Sequence, residues 1–226
     1  MAMKVENVVP FGRLLDEYKR MFNLSENDLR LNILGVADGP ASFNAELTAK
    51  GSHVTSIDPI YAFEASEIQK KFDEVLNRII DQVKSTSDDW VWSYHRSPED
   101  LRANRIRAMG IFVRDFTESR KSKRYVVGEL PHLPFKNDQF DLAICSHFLF
   151  LYSAHFTYGF HLASIREMLR VAREIRIFPL VILMLEKSPY IEPVQRDLSR
   201  EGFAVEINRS GYELQRGGNE VMVIKK

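Results

Sequence analysis

Cysteine is nearly missing from this chain: Cys145 is the only one in 226 residues, so no intramolecular disulfide can form. That excludes a small cross-linked scaffold of the secreted type and fits a reducing compartment. Net charge is missing as well, since 31 basic residues balance 31 acidic ones. Without an excess of positive charge there is no broad field to capture nucleic acid, and a nucleic-acid partner is not expected. Long hydrophobic runs are absent too. The longest apolar stretch, Ile177 to Leu185, is about half of the ~20 residues that a membrane helix needs. Residues 1–20 mix charges throughout, unlike a signal peptide. A cytoplasmic protein with no membrane contact is expected. The six histidines and one cysteine offer no pair at a convincing metal spacing, so no metal site is expected.

What the chain does have is core material. Hydrophobic residues make up 45% and charged residues 27%, and the length suits one α/β domain, 1–226, with elaborations. Such a chain can bury a core without metals or disulfides.

Apolar spacing places helices and strands in alternation. Residues 11–23 read as an amphipathic helix carrying Leu14, Leu15, Tyr18 and Phe22, and a short helix begins at Ser25 with Asp28 as its capping partner. These form an N-terminal helical segment over 1–30. Leu31 to Leu34 is a short strand that stops at glycine. Phe43 to Lys50 is helical up to Gly51, and His53 to Ile57 is a second strand closed by Asp58-Pro59. Strand, glycine-bearing turn, helix and strand in so few residues describe a βαβ unit on a parallel sheet. The next strand, 124–127, comes only after a long interval filled by two apolar helical stripes. One runs from Ile68 to Val83, the other from Leu101 to Phe116 behind the cap pair Ser97-Pro98. Between them lies the aromatic connector 88–95. Residues 62–122 therefore read as a helical insertion lying over the sheet. Beyond it come a strand over 140–145, a helix over 160–172, a strand within 174–185 and a helix over 194–200. Two final strands, 203–208 and 220–225, leave room for an antiparallel hairpin rather than another crossover.

The turn between the first strand and its helix has small residues at every second position: Gly35, Ala37, Gly39 and Ala41. Small side chains there let backbone approach a ligand closely, and the helix start beyond it offers N–H groups. Asp58 follows nineteen positions after Gly39, at the end of the second strand. A carboxylate in that place can accept both hydroxyls of a ribose.

With these residues the sequence resembles the class I S-adenosylmethionine-dependent methyltransferases. Residues 33–41 are similar to that family's first motif, and Val127 to Phe135 with Phe140-Asp141-Leu142 to its third- and fourth-strand signature. The resemblance implies a Rossmann-like three-layer sandwich with a mostly parallel seven-stranded sheet and an antiparallel last strand. It implies S-adenosylmethionine as cofactor, held by Gly35, Ala37, Asp38, Gly39, Asp58, Pro59 and Ser146, with Glu129 and Leu130 flanking the adenine. It places Ser146 and His147, after the fourth strand, beside the transferred methyl. The chain departs from the family pattern twice: the opening acidic position is Gly35, and two of the three glycines are Ala37 and Ala41, whose methyl groups disfavour φ > 0.

Methyl transfer from a sulfonium needs alignment and exclusion of water, and a base only where the nucleophile arrives protonated. His147 is the candidate base, titrating near neutral pH. His155 and His161 read as structural or wall residues, and Trp90, Trp92, Tyr94 and His95 as core or as walls of a substrate pocket. Asp58-Pro59-Ile60-Tyr61 is similar to the Asp-Pro-Pro-Tyr motif of amino-group methylases but stands after the wrong strand. Arg120 to Arg124 reads as the basic end of a helix. The expected function is methyl transfer to a small-molecule acceptor, shaped by the 62–122 insertion. A non-catalytic nucleotide- or cofactor-binding protein of the same fold is the alternative, and an NAD(P)-dependent oxidoreductase the third.

Overall fold

The computed structural model describes residues 10–119 and 122–226. The first nine residues of the N-terminal segment, and Arg120 and Lys121 of the basic run, lie outside the described residues.

Helix α1 (Leu15–Met21) leads into strand β1 (Asn32–Val36), helix α2 (Phe43–Thr48) and strand β2 (His53–Ile57). Two long helices follow, α3 (Ala65–Ser85) and α4 (Pro98–Ser119), then β3 (Tyr125–Val126), β4 (Phe140–Ser146), α5 (Tyr158–Val171) and β5 (Ala172–Phe178). Helix α6 (Ile191–Arg200) and strands β6 (Ala204–Arg209) and β7 (Glu220–Lys225) complete the chain. The strands make one seven-stranded sheet in the order β3-β2-β1-β4-β5-β7-β6. Pairing is parallel from β3 to β5, and β7 runs antiparallel to both neighbours. This is the Rossmann-like sheet expected from the sequence, with the order reversing at β1 and β4.

Alternation along the strands sets up the three layers. Ile33, Leu142 and Ile144 point to a core shared with α1 to α4, while Leu34, Ala143 and Cys145 point to the other, shared with α5 and α6. Cys145 is buried, which pushes its thiol up to about 12 and leaves it inert at neutral pH. Helix α3 buries Ile68, Phe72, Leu76, Ile79, Ile80 and Val83, a continuous 3.6-residue stripe, and α4 starts where the Ser97 hydroxyl accepts from the Asp100 amide at 3.1 Å. The connector between them docks on the tail: the Val91 amide donates to the Leu214 carbonyl at 2.7 Å, and Arg216 donates to the Asp88 carbonyl.

The N-terminal segment is tied into this frame rather than appended to it. Ser25 and Asp28 exchange capping bonds, as their spacing predicts. Arg176 of β5 donates to the Phe22 carbonyl at 2.7 Å and pairs with Asp28. Among the described residues no helix is long and apolar enough to cross a membrane.

Candidate functional site

The carboxyl ends of β1, β2 and β4 meet where the strand order reverses, which in open α/β sheets leaves a crevice. The turn after β1 lines it in a strained shape. Ala37 has φ +50° and Gly39 φ +54°. The methyl of Ala37 does not prevent the left-handed conformation; the chain adopts it at a cost of roughly 1–2 kcal/mol. The strain persists because the turn is over-determined. The Gly39 amide donates to Asp58 Oδ2 at 2.9 Å, and the Tyr61 hydroxyl donates to the Gly39 carbonyl at 2.7 Å. Access to the start of α2 is narrower than the sequence suggests, since the Ser42 amide is already bonded to the Arg13 carbonyl at 3.0 Å.

Asp38 does not extend into solvent. Its carboxylate folds back over β1, accepting from the Tyr18 hydroxyl and the Ser56 hydroxyl at 2.5 Å each. A Cβ on Gly35 would stand 2.6–2.9 Å from that carboxylate, so the absence of a side chain at 35 is what makes room for Asp38. Burial pushes the Asp38 carboxyl up to about 6, against the two hydroxyl bonds.

Asp58 ends β2 and caps the short 3-10 turn Pro59–Ala62, accepting from the Ile60 amide at 2.9 Å. Its two oxygens thus hold two backbone amides and keep further lone pairs for a ligand. Burial raises its pKa above the ordinary carboxylate range.

Two adjoining cavities meet at Asp58. One, about 350 Å³, is lined by Glu129, Leu130, Leu133 and Phe160. The other, about 300 Å³, is lined by Asp38, Gly39, Ser146, His147 and the N-terminal Gly12 and Arg13. Ala37, Asp58, Pro59 and Phe148 belong to both. The loop bearing Glu129 and Leu130 is held by α5: Glu167 accepts from the Leu133 amide at 2.7 Å and Arg170 donates to the Leu133 and Phe135 carbonyls. Of the residues singled out from the sequence, Ala37, Asp38, Gly39, Asp58, Pro59, Glu129, Leu130, Ser146 and His147 all line one or both cavities, while Gly35 lies just beneath them.

His147 sits at φ +53°, its Nδ1 2.9 Å from the Ser146 hydroxyl. Burial, reinforced by the Arg13 and Arg105 guanidiniums, drives its pKa well below the usual histidine value. The shift runs away from the near-neutral titration expected from the sequence. The other histidines stand apart from the cavities. His161 is buried between the Thr157 and Leu149 carbonyls, His155 is exposed, and His95 is fully buried beside Glu17, Tyr212 and Asn104. Among the described residues no group of three or more His, Cys, Asp or Glu side chains could hold a metal ion.

Sequence reasoning missed the N-terminal wall. Gly12 packs on the turn so closely that a Cβ there would stand 2.0 Å from the Pro40 carbonyl oxygen. This fit places Arg13 in the cleft, where burial and the nearby Arg105 both disfavour its charge. No local pattern around Gly12-Arg13 announces either role.

No family model matches the sequence. It is 34% identical over 225 residues to the uncharacterized protein MJ0045 of Methanocaldococcus jannaschii, an alignment covering 99% of both chains. The chain belongs to the MJ0045 family. Among solved structures, the mitomycin 7-O-methyltransferase MmcR is similar at a TM-score of 0.50 and 10% identity, covering 94% of this chain and 53% of that one. Magnesium protoporphyrin IX methyltransferase from Synechocystis PCC 6803, with bound S-adenosylmethionine, gives 0.49 at 14% identity over 94% of this chain and 77% of that one. An S-adenosylmethionine-dependent methyltransferase from Aquifex aeolicus gives 0.44 at 15% identity, covering 94% and 89%. With the strand order above, the likeness to MmcR makes the fold of this MJ0045-family chain that of the class I methyltransferases.

Proposed function

We propose that this protein transfers a methyl group from S-adenosylmethionine to a small-molecule acceptor. The observation that carries the reading is the position of Asp58 between two cavities. An adenosine laid across it puts its ribose on the carboxylate, its adenine against Glu129 and Leu130, and its amino-acid arm towards Asp38 and Ser146. The cavity volumes, about 300 and 350 Å³, suit a ligand of that size. Bound there, the cofactor supplies a methyl group on a sulfonium. The chain's own part is to bind, orient and exclude water: Asp58 fixes the ribose, Asp38 faces the α-ammonium, and the apolar walls Leu130, Phe148 and Phe160 keep the site dry. Asp38 in this reading takes the place of the acidic side chain that Gly35 lacks. His147, neutral and aimed into the cavity, can accept a proton from an acceptor hydroxyl, though its low pKa makes it a weak base. The whole chain, 1–226, acts as one methyltransferase-like domain, with 62–122 walling the acceptor side. The weakness of His147 as a base favours a second reading, a non-catalytic cofactor-binding protein of this fold.

Calorimetry with S-adenosylhomocysteine tests the cofactor site, and turnover across an acceptor panel separates the two readings. Absence of binding by the wild type would sink both. The Asp58→Asn variant removes a charge and sets an amide NH2 against the Gly39 amide, so binding is expected to weaken about tenfold or more. Unchanged affinity in a folded variant would put the ribose elsewhere.

Asp38 adds a pH signature. Its carboxyl is largely protonated at pH 5 and ionised at pH 7, given a value of about 6. An α-ammonium needs the ionised form, so S-adenosylhomocysteine affinity is expected to rise roughly tenfold from pH 5 to pH 7. The sign for stability is opposite. A carboxyl raised in the folded state holds its proton longer than in the unfolded chain, so its contribution falls as pH climbs from about 4 to about 6. Asp38→Asn is therefore expected to bind weakly at every pH yet melt above the wild type at pH 7. A melting point below wild type, or a pH-dependent affinity that survives the substitution, would refute this role.

A further inference from the structure

A third cavity, about 80 Å³, lies beyond His147 between the long helices and the tail. Its walls are apolar, with Ile79, Val83, Trp90, Leu101 and Leu214 prominent, and two guanidiniums reach it. Arg105 is fully paired: its Nη1 and Nη2 donate to the two oxygens of Glu17 at 2.7 Å each. Arg13 is not. Its Nη1 donates to the Phe11 carbonyl at 2.9 Å, but its Nε is buried without a hydrogen-bond partner. Among the described residues no carboxylate pairs with it. Arg13 as a whole is half-buried, but a buried guanidinium N–H without a partner is unfavourable until an acceptor joins it.

The two sides of Arg13 differ. Towards the turn, the cavity of about 300 Å³ already carries Asp38, Asp58 and Lys71. Towards the helices, among mostly apolar side chains, Arg13 is the charge without a directly paired carboxylate, Glu17 acting on it only at longer range. The Nε edge of a guanidinium presents parallel N–H groups that fit a carboxylate side-on, and the apolar walls around it suit a carboxylate with an apolar body.

We propose that the methyl acceptor is an apolar carboxylate, and that Arg13 is the residue that receives its carboxylate group and so holds its body beside His147. The assignment rests on the methyltransferase reading for the word acceptor, but the anion site itself can be tested without it. Arg13 selects the acceptor's class; it is a binding residue, and no chemical step is assigned to it.

The test uses the full chain, with benzoate and its neutral isostere benzamide as probes and Arg13→Met as the variant. The wild type is expected to bind benzoate at least about tenfold tighter than benzamide. In Arg13→Met the preference disappears and the ligand-free protein melts higher because an unpaired buried N–H group is gone. A wild type without preference for benzoate overturns the proposal. So does a variant that melts lower than wild type, or one that keeps the preference, since Arg13 is then structural. If the variant loses S-adenosylhomocysteine but retains methylthioadenosine, which has no carboxylate, the anion belongs to the cofactor and the proposal fails. If the wild type binds no S-adenosylhomocysteine, the methyltransferase reading fails, while the benzoate and benzamide contrast still decides the anion site.

Discussion

The Gly35→Asp variant is expected to melt about 10 °C below the wild type. The room that a side chain at position 35 would need is taken. A Cβ at 35 meets Asp38 Oδ2 at 2.6 Å and its carboxyl carbon at 2.7 Å. Asp38 cannot give way cheaply, because Tyr18 and Ser56 hold it from two sides and Asn44 in turn donates to the Ser56 hydroxyl at 3.0 Å. Nor can the strand, since Leu34 and Val36 on either side are buried and β1 is paired with β2 and β4. The new side chain also brings a second carboxyl into contact with one already raised to about 6 by burial. Overpacking together with unpaired buried charge belongs to the mechanisms that cost about 4 kcal/mol or more. In a chain of this length each kcal/mol moves the melting point by roughly 2–4 °C. The double variant Gly35→Asp with Asp38→Ala removes the clash and is expected to recover most of the loss. A single variant that melts within about 2 °C of wild type would show that Asp38 is free to leave, and with it the idea that it stands in for residue 35.

That exchange explains what could and could not be read from the sequence. The alternation in β1 and β4, the stripes of α3 and α4, and the Asp58 that closes β2 are local patterns, and each led to the element or cavity wall it belongs to. Gly35 read as a missing contact, because the compensation comes from a residue three positions on whose orientation depends on Tyr18 and Ser56. Arg13 was invisible for the same kind of reason: its placement follows from Gly12 packing on Pro40, a contact between segments that nothing in either one encodes alone. His147 lines a cavity, but the lowering of its pKa was not legible, since burial and two arginines distant in sequence cause it. The cleft gathers local costs: Ala37 and His147 at positive φ, Asp38 as a buried acid, Arg13 as an unpaired cation. Such concentration is what the proposed ligand site would require.

Around this site, the element that holds the N-terminal wall in place gives the second large effect: Glu17→Ala is expected to destabilise the protein by about 3–5 kcal/mol. Glu17 is fully buried on α1, and its carboxylate accepts from Arg105 of α4 twice, from the Tyr212 hydroxyl at 2.9 Å and from the Leu14 amide at 3.0 Å. His95 Nε2 lies 3.1 Å away. One side chain thus joins the N-terminal segment, the helical insertion and the tail, which are far apart in sequence. Truncating it leaves the Arg105 guanidinium, 1% exposed, without its counter-ion. Replacing the pair by apolar side chains, Glu17→Leu with Arg105→Met, removes both charges and is expected to recover much of the loss. The pH dependence has a definite sign. Burial works to raise the Glu17 carboxyl, but the Arg105 guanidinium and its hydrogen bonds outweigh it and hold the group well below the usual carboxylate range. A depressed folded-state value gives stability that is present above the unfolded value, near 4.3, and is lost as pH falls through the folded one. The melting point of the wild type should therefore fall on acidification below about pH 4, and that part of the acid dependence should be missing in Glu17→Ala. Equal melting points for wild type and Glu17→Ala at pH 7 would refute the role given to the network. If the network is as described, the Arg13 cavity wall should loosen with it, because the Gly12 carbonyl that Arg105 also contacts, at 3.3 Å, is the backbone on which Arg13 stands.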